Sequence, residues 1–381
     1  MGEGSSFAKS RLIFNFEIGS SMISRIGCGR STTGVGVLVA QLGTPSAPTK
    51  SALRPYLKEF LSDPRVIEKP KLFWWFILNL FILNTRPKRS ARLYSRIWTS
   101  EGSPLLVITR RQTELLKNSL ANKGISVPVE FGMRYGSHSV AEAVGRLLNQ
   151  GCDRIVLVPM YPQYSATTTA SIYDAFYGEI LKQRRVPAVR VVAPFYNDIL
   201  FQVALRSRIE NYLKSKNDSP PERIILSYHG IPRSYVERGD SYCCQCAETT
   251  KIMLTGLSYP KERVIHTYQS RFGRDPWLQP YTDEVIAKLA QQGIKRVALF
   301  APGFVADCLE TLDELGNEAR EQFLHLGGER LDLIPCVNDS VEFIEALTSL
   351  TCKAGADWFA DSNQGVYSLQ PCPVKTALNI S

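Results

Sequence analysis

The sequence predicts an α/β protein of two Rossmann-like lobes, each a four-stranded parallel sheet flanked by helices, with a cleft between the lobes. Two observations support this prediction. Short apolar runs that end in Gly, Pro or polar residues alternate with longer helical segments, which is typical of parallel sheets with helices on both faces. The second half of the chain repeats the plan of the first, and 381 residues are enough for two domains.

The first lobe is predicted to span residues 34–197. It opens with the apolar run GVGVLVAQLGTP, which indicates a buried strand that ends in a Gly/Pro turn. The later elements alternate as a parallel sheet requires. They are helices at 51–61 and 104–122, a strand at 129–137, a helix at 139–149, a strand at 154–162, a helix that ends near 183 and a strand at 188–196.

The second lobe is predicted to span residues 198–350. Its helices are expected at 199–214, 244–257, 281–291, 307–326 and 341–350, and its strands at 223–230, 263–270, 296–304 and 331–338. Residues 1–33 are basic and rich in serine, so we expect an N-terminal extension, either a targeting segment or a loose tail. Residues 351–381 are expected to form a polar, irregular C-terminal tail.

Composition is that of an ordinary globular protein with excess positive charge. The balance of 45 Lys and Arg against 36 Asp and Glu gives a net charge of +9. This favours an acidic partner: nucleic acid, an anionic membrane surface, or a small molecule with carboxylate or phosphate groups. Nine cysteines, an odd number with no secretory signal before them, are not typical of a disulfide framework. They indicate a reducing compartment.

An apolar block, LFWWFILNLFIL at residues 72–83, is followed at once by a basic run. It is shorter than the roughly 20 residues that a helix needs to cross a bilayer. One interpretation is a buried core helix. The other is a membrane-surface contact or the mouth of a pocket for an apolar, acidic ligand, because aromatic residues stand beside cations. The basic residues are Arg86, Lys88, Arg89, Arg92 and Arg96.

Two common functions of such folds are not favoured by the motifs. No predicted strand is followed by a G-x-G-x-x-G or Walker-A loop, so nucleotide binding is not indicated. Cys243, Cys244 and Cys246 lie close together, but a zinc or iron–sulfur site normally needs a second group of ligands, and the later cysteines contain no C-x-x-C pair. Packing at the start of a helix is the better interpretation of the three cysteines.

His229 stands at the end of the predicted strand RIILSYHG, where a Gly/Pro turn begins. In open α/β sheets, ligands bind at the carboxyl ends of the strands. A single histidine at such a place is either a hydrogen-bonded structural residue or a catalytic one, and the strand alone does not decide between them.

A row of acids follows another predicted strand of the same lobe. On an α-helix, Asp307, Glu310, Glu314 and Glu318 would share one face, since they are spaced by three or four residues. Acids near a helix N-terminus are also favoured by the helix dipole, so a solvated acidic stripe is an alternative. A neutral imidazole near carboxylates can accept protons or receive a divalent metal. Together with His229 the row predicts metal handling beside proton abstraction.

The chain is similar to the ferrochelatase family over about residues 34–350. Motifs that match in the right order carry this resemblance, and together they are far more specific than any one of them. In the first half they are LGTP at 42–45, YSRIW around Tyr94, EGSPL around Ser103, MRYG around Tyr135 and YPQYSATTT from Tyr161. In the second half they are SYHGIP around His229, RGDSY from Arg238, QSRFGRDPWLQP around Trp277 and FVADCLETLDE around Glu310.

The resemblance implies a chelatase-type fold that inserts Fe²⁺ into protoporphyrin IX with release of two protons, forming protohaem in the last step of haem biosynthesis. It implies that His229 and Glu310 face each other across the macrocycle as catalytic and metal-binding residues, and that Glu314 and Glu318 relay protons or metal. Which side receives the metal stays open. The expected substrate-binding residues are Arg86, with a propionate as its partner, and Tyr94, Ser103, Arg134, Tyr135, Tyr161, Trp277, Phe304 and Asp307.

The sequence departs from the family at two places. Cys308 stands where many members have a second histidine, although a thiolate is also an iron ligand. Some members carry a [2Fe–2S] cluster on C-terminal cysteines; Cys352 and Cys372 alone cannot supply one, so we expect no cluster and no permanently bound cofactor.

The expected partners are protoporphyrin IX, ferrous iron and a membrane surface that the apolar block touches, without nucleic acid. The expected location is the cytoplasm, with peripheral membrane association; the oligomeric state stays open. Two alternatives remain: a chelatase for coproporphyrin or another tetrapyrrole, and a porphyrin- or metal-binding protein without turnover.

Overall fold

The computed structural model describes residues 34–273 and 275–363, with side chains up to residue 360. The predicted N-terminal extension and residues 364–381 of the predicted tail lie outside this part of the chain. Across the described residues, eight strands form two parallel sheets of four strands each. The predicted fold class, two lobes that repeat one α/β plan, is confirmed.

The first sheet is built on a central strand that is apolar on both faces. Its strands are β1 (Gly34–Thr44), β2 (Val129–Gly136), β3 (Cys152–Pro159) and β4 (Ala188–Val191). Their order is β2-β1-β3-β4. Val37 and Val39 enter one buried cluster and Leu38 and Ala40 another, because successive side chains of a strand point to opposite faces. Helices must therefore cover both faces of this sheet.

The second sheet repeats this order. Its strands are β5 (Arg223–His229), β6 (Val264–Gln269), β7 (Arg296–Phe300) and β8 (Arg330–Leu333). They are arranged as β6-β5-β7-β8. In β5, Ile224 and Leu226 face one cluster and Ile225 faces the other, so this sheet is also buried on both sides.

Helices flank both sheets. In the first lobe they are α1 (Lys50–Ser62), α2 (Lys71–Ile77), the π-helix π1 (Leu78–Ile82), α3 (Leu83–Ile97), α4 (Pro104–Asn122), α5 (Val140–Asn149), the π-helix π2 (Ala166–Ala170) and α6 (Ser171–Ile180). In the second lobe they are α7 (Ile199–Ser215), α8 (Arg233–Glu237), α9 (Tyr242–Thr255), α10 (Thr282–Gln291), the π-helix π3 (Glu310–Glu318), α11 (Ala319–His325) and α12 (Val341–Asn363).

Three strands end four or five residues earlier than predicted. β4 stops at residue 191 instead of 196, β7 at 300 instead of 304, and β8 at 333 instead of 338. A proline follows within a few residues of each end: Pro194, Pro302 and Pro335. Proline has no N–H to donate to a neighbouring strand, so the ladder stops before it. The residues after β7 become a loop at the carboxyl edge of the sheet.

The last helix overturns the prediction of an irregular tail from residue 351. α12 continues to Asn363 across a kink at Ala356, where the backbone leaves the helical region, and packs against α4, α7 and the strands β1, β3 and β4 of the first sheet. Phe359 is 3% exposed and shares a core cluster with Val35 and Val156. On the surface, Arg190 at the edge of that sheet stacks over Trp358 at 4.1 Å. The chain therefore returns to the first lobe after completing the second.

Replacing Phe359 by Ala should lower the free energy of unfolding by about 3–5 kcal/mol, the usual cost of truncating a buried Phe. Urea unfolding followed by circular dichroism measures this loss. The control is Leu181→Ala, whose side chain is 68% exposed and should change stability little. If both variants unfold at the wild-type midpoint, the last helix is not part of the core.

Candidate active site

A small cavity lies where the carboxyl edge of the first sheet meets the loop after β7. Its volume is about 60 Å³, which is room for a metal ion with a few waters rather than for a tetrapyrrole. The predicted site residues on its wall are Tyr94, Ser103, Tyr161, Phe304 and Glu310. Sequence reasoning did not single out Gln41, Tyr56 and Met160, whereas Thr44 belongs to the LGTP motif and Cys308 was noted as a departure from the family.

The LGTP turn shapes one wall of this cavity. Gly43 has φ +113°, and a Cβ on it would lie 2.0 Å from the carbonyl oxygen of Tyr135, so only glycine fits. The next residue, Thr44, donates its hydroxyl to Ser103 Oγ at 2.8 Å. This bond ties the end of β1 to the start of α4, where Ser103 is almost completely buried. The serine hydroxyl is thereby fixed on the cavity wall.

His229 is the last residue of β5 and is half-buried. Its Nδ1 lies 2.7 Å from the carbonyl oxygen of Gly230, which has no proton to give, so Nδ1–H donates and Nε2 keeps a free lone pair. Gly230 is required next to it because a Cβ there would lie 2.9 Å from Gln269 O and 3.1 Å from the Trp277 ring. The imidazole is thus held with one nitrogen ready to take a proton or a metal ion.

The acidic row lies on a π-helix that begins later than predicted. The sequence predicted an α-helix from residue 307, whereas π3 spans Glu310–Glu318 and Asp307 precedes it. Glu310 lies on the cavity wall, Glu314 is half-buried, and Glu318 is exposed. The three carboxylates therefore lead stepwise from the cavity towards solvent. π-Helices are rare and occur often at functional sites.

Glu314 stands at the centre of the row. Burial raises the pKa of its carboxyl above the usual value, and the charge of Glu310 raises it further, whereas a hydrogen bond from Ser270 and the nearby His229 counteract this. Ser270 Oγ donates to Glu314 Oε2 at 2.5 Å. A carboxylate with a raised pKa holds a proton at a higher pH than a solvated one, so Glu314 is suited to proton transfer.

Asp307 does not line this small cavity, and its contact with a substrate stays a prediction. Its side chain is buried and accepts hydrogen bonds from Asn338 Nδ2 at 2.6 Å, Thr311 Oγ1 at 3.1 Å and the backbone N–H of Cys336 at 3.3 Å. The carboxylate thus joins the start of π3 to the loop after β8. The hydrogen bonds of Asp307 hold the start of π3, the helix that carries the acidic row.

Arg134 and Tyr135 belong to a buried network beneath the cavity instead of its wall. Both donate to Asp63 Oδ2, Arg134 Nη2 at 2.5 Å and the Tyr135 hydroxyl at 2.7 Å, and Ser171 Oγ donates to the same oxygen at 2.6 Å. Burial alone would raise the pKa of Asp63, but the bonds from Ser171, Tyr135 and the backbone of Arg65, with the Arg134 charge, lower it overall. A buried cation such as Arg134 needs an anion beside it. A search for that anion is the signal that could have predicted Asp63 from the sequence.

Arg86 and Trp277 are connected through the ring of Phe272. The guanidinium of Arg86 is placed over the ring of Phe272 at 6.0 Å, and desolvation together with Arg89 lowers its pKa. Phe272 in turn meets Trp277 edge to face at 5.4 Å. Trp277 is buried and its Nε1 has no hydrogen-bond partner in the described part of the chain. These side chains form an apolar and cationic face beside His229.

Tyr56 is a cavity residue that no sequence motif marked. Its ring meets that of Tyr94 at 6.5 Å and 85°, and its hydroxyl donates to the carbonyl oxygen of Gly43 at 3.3 Å. Burial raises the pKa of both phenols strongly, and the charge of Glu310 adds to the effect. Both are therefore neutral at physiological pH. The sequence alone places Tyr56 only in the predicted helix at 51–61.

Cys308 shares the cavity wall with Glu310. Burial raises the pKa of its thiol well above the usual value, and the adjacent carboxylate raises it further. The side chain is a neutral thiol, whereas iron ligation requires a thiolate. Elsewhere, Cys246 is buried in the core, and no three His, Cys, Asp or Glu side chains in residues 34–273 and 275–363 are grouped closely enough to hold a metal ion.

The apolar block 72–83, termed the lip from here on, packs against α1. The core-helix interpretation is wrong for most of it. Leu78 and Leu83 are buried, and Trp74 Nε1 donates to Leu61 O at 2.6 Å, so one side of the lip is anchored. The other side is open to solvent. The exposed residues are Leu72, Phe73, Trp75, Phe76, Leu80 and Phe81.

One ion-pair cluster connects the lip to the acidic row. Arg96 on α3, the helix that continues the lip, lies 3.3 Å from Asp313 and 3.0 Å from Glu321. The Asp313 side chain is 2% exposed and also accepts a hydrogen bond from Asn317 Nδ2 at 2.9 Å. A buried carboxylate depends strongly on such partners. The position of the lip helix and the position of π3 are therefore coupled.

The paired sheets, the cavity between them and the row of carboxylates beside a free imidazole nitrogen define a chelatase, an enzyme that inserts a metal ion into a tetrapyrrole. The model of the ferrochelatase family matches residues 34–354. The chain belongs to the ferrochelatase family. It is a lyase of haem biosynthesis that acts on a porphyrin and ferrous iron.

Two ferrochelatases at 48% identity support this assignment over 85% of the chain. The ferrochelatase of Brucella anthropi is 48% identical over 326 residues, which cover 85% of this chain and 93% of the relative. The ferrochelatase of Brucella ovis is 48% identical over 85% of this chain and 92% of the relative. Among solved structures, SirB from Bacillus subtilis with Fe³⁺ superposes with a TM-score of 0.49 at 14% identity, covering 89% of this chain and all of that one.

Replacing Asp63 by Asn should destabilise the protein in a pH-dependent way. Because folding lowers the pKa of Asp63, its contribution to stability is complete above the unfolded value of 3.8 and is lost as the pH falls through the lower folded value. We expect D63N to lose about 3–5 kcal/mol at pH 7, as for a broken buried ion pair. Urea unfolding at pH 7 and at pH below about 4 measures whether the gap to wild type narrows.

The matched control for D63N is Asp174→Asn, which breaks the exposed pair with Arg65. An exposed pair contributes about 1 kcal/mol or less, so this variant should stay close to wild type. A difference between D63N and wild type that is the same at both pH values would contradict the role assigned to the ionised carboxylate.

Proposed function

We propose that this chain inserts Fe²⁺ into protoporphyrin IX, with His229 and Glu310 as catalytic residues and Glu314 and Glu318 as a relay. The observation that carries this proposal is the meeting of a fixed imidazole lone pair and a graded row of carboxylates at the carboxyl edge of one sheet. Insertion of the metal requires acceptors for two pyrrole protons and oxygen or nitrogen ligands that hold iron only briefly.

His229 supplies the first acceptor in this proposal. Its Nδ1–H bond to Gly230 leaves Nε2 free, and the turn that follows β5 fixes the ring. A pyrrole N–H that approaches Nε2 transfers its proton without any rotation of the side chain. Burial raises the pKa of Glu314, and this carboxylate lies near enough to His229 for the two groups to interact electrostatically. Glu314 is the next acceptor of that proton.

Glu310 holds the cavity end of the row. It is the carboxylate on the cavity wall, next to the neutral phenols of Tyr56 and Tyr94. Carboxylate oxygen is a suitable ligand for a ferrous ion that must leave again, since it binds more weakly than a thiolate set. Exposure increases from Glu314 to Glu318, so the row connects the cavity with solvent.

The porphyrin is proposed to bind along the cleft beside the cavity. Tyr94, Ser103, Tyr161 and Phe304 line the wall that its rim would meet, and Trp277 borders the opposite face. Arg86 presents a guanidinium that can pair with a propionate. Arg134, Tyr135 and Asp307 support these walls through buried hydrogen bonds. Aromatic walls that bend the macrocycle would turn its nitrogen lone pairs towards the metal.

The lip is proposed to contact a membrane surface, from which an apolar porphyrin enters the cleft. Six large apolar side chains are exposed on it, and basic residues of α3 follow directly. Such a patch suits the boundary of headgroups and acyl chains. No helix among residues 34–273 and 275–363 is long and apolar enough to span a bilayer.

The decisive experiment is an anaerobic assay of the purified protein with Fe²⁺ and protoporphyrin, followed by loss of porphyrin fluorescence. Wild type should form haem, and both His229→Ala and Glu310→Gln should lower kcat at least about 100-fold, because each removes a group that touches substrate. The control is His325→Ala, a histidine at the end of α11, which should keep full activity. Full activity in His229→Ala would refute the proposed mechanism.

The same assay compares substrates. Protoporphyrin should react faster than coproporphyrin III, because the exposed lip favours the less polar ring. A preference for coproporphyrin would assign the chain to the other class of substrate, and tight binding without metal insertion would make it a binding protein. Cytoplasmic location and the lack of an iron–sulfur cluster stay predictions; Cys352 lies on α12 and Cys372 lies outside the described residues.

For the lip, flotation of the protein with anionic liposomes gives the test. A variant with Phe73, Trp75 and Phe81 changed to Ser should float much less than wild type, since three apolar side chains no longer enter the interface. The matched control is Leu181→Ser, which removes an exposed apolar side chain elsewhere. Equal flotation of both variants and wild type would show that the lip is not a membrane contact.

A further inference from the structure

Ser270 adopts a backbone conformation that its side chain does not favour. It follows directly on β6 and has φ +66°, in the left-handed region. Residues other than glycine seldom adopt this region, and those that do cluster at functional sites. Gly273, three residues later, shows that the same loop accommodates glycine at positive φ. A glycine at position 270 would satisfy the path of the loop, so the presence of serine there needs another explanation.

The hydroxyl of Ser270 provides such a reason. Its Oγ donates to Glu314 Oε2 at 2.5 Å, a short bond to the central carboxylate of the acidic row. Gln269, immediately before it, donates from Nε2 to the backbone carbonyl of Glu310 at 3.2 Å. Two adjacent residues thus hold two acids that are one turn apart on π3.

These two residues are fixed on a rigid base. Gln269 pairs with His229 across the β5–β6 ladder. The strand that carries the imidazole therefore also fixes the position of Ser270, the residue after Gln269. Gln269 Oε1 accepts a hydrogen bond from Ser227 Oγ at 2.7 Å, and Ser227 lies 2.8 Å from Thr282 Oγ1 on α10. The side chains of Gln269, Ser227 and Thr282 are all buried. Motion of Ser270 relative to His229 is therefore small.

We propose that Ser270 is a positioning residue, whose strained backbone aims its hydroxyl at Glu314 and holds that carboxylate in line between His229 and Glu310. The proposal rests on the proposed function of the row as a relay. Without the hydroxyl, the Glu314 side chain is free to take other rotamers, and proton transfer, which needs hydrogen-bond distances, is interrupted. Binding of the porphyrin does not involve this bond.

Two substitutions separate strain from positioning. Ser270→Gly relieves the strain and removes the hydroxyl, so its Tm should equal or exceed that of wild type while kcat falls about tenfold or more, as for the loss of a hydrogen bond to a charged group. Ser270→Thr keeps the hydroxyl but adds a β-branch in a left-handed conformation, so Tm should fall while kcat per folded molecule stays within about twofold. KM for the porphyrin should be unchanged in both.

His138→Gly is the matched control. His138 has φ +63° and lies after β2, outside the proposed catalytic machinery, so its replacement relieves similar strain and should leave kcat unchanged. Full kcat in Ser270→Gly would overturn the proposal. A Tm that falls together with kcat in Ser270→Gly would also overturn it, because it would make the residue merely structural.

Crystal structures of the two Ser270 variants distinguish this proposal from the proposed function. The Glu314 carboxylate should keep its place in Ser270→Thr and move in Ser270→Gly, whether or not the enzyme turns over. If wild type inserts no iron, the proposed function fails while the carboxylate positions still test Ser270. An unmoved carboxylate in Ser270→Gly would overturn the positioning role even in an active enzyme.

Discussion

Parallel pairing of the strands is the constraint on which this site depends. Neighbouring parallel strands end at the same edge of a sheet. The residues that follow them are therefore brought together even though they are far apart in the sequence. His229 ends β5, Gln269 ends β6 directly opposite it, and the loop after β7 leads into π3. A shift of one residue in this register would turn His229 to the other face of the sheet. The relative positions of His229 and Gln269 are therefore fixed by backbone hydrogen bonds as well as by side-chain contacts.

Buried polar networks extend this geometry from the backbone to the side chains. Asp63 accepts hydrogen bonds from four donors, Asp307 accepts from three at the start of π3, and Ser227 connects Thr282 with Gln269. Each network joins polar side chains from different elements of the fold. Such networks are costly when one member is lost, which makes them suitable for keeping a site in one arrangement.

Much of the fold and part of the site could be predicted because their signals are local. The apolar run of β1 and the turn after His229 show their structure in a few consecutive residues. The hydrogen bonds of Asp307 and Tyr135 could not be predicted, because they join elements far apart in sequence and no local pattern reveals such partners. The π-helix also escaped prediction, because spacings of three and four residues indicate an α-helix, and the extra residue per turn depends on tertiary contacts. Tyr56 lies at an ordinary helical core position, so only the folded chain shows that it meets the cavity.

The course of α12 has a consequence for the order in which the protein folds. Ribosomes release the first lobe long before the last helix, and domains commonly fold as they emerge. Here the core that contains Val35 and Val156 also contains Phe359. The newly made first lobe must therefore wait with part of its sheet uncovered until the end of the described chain has been synthesised. Completion of the N-terminal half is thus a late event of biosynthesis, although its sequence comes first.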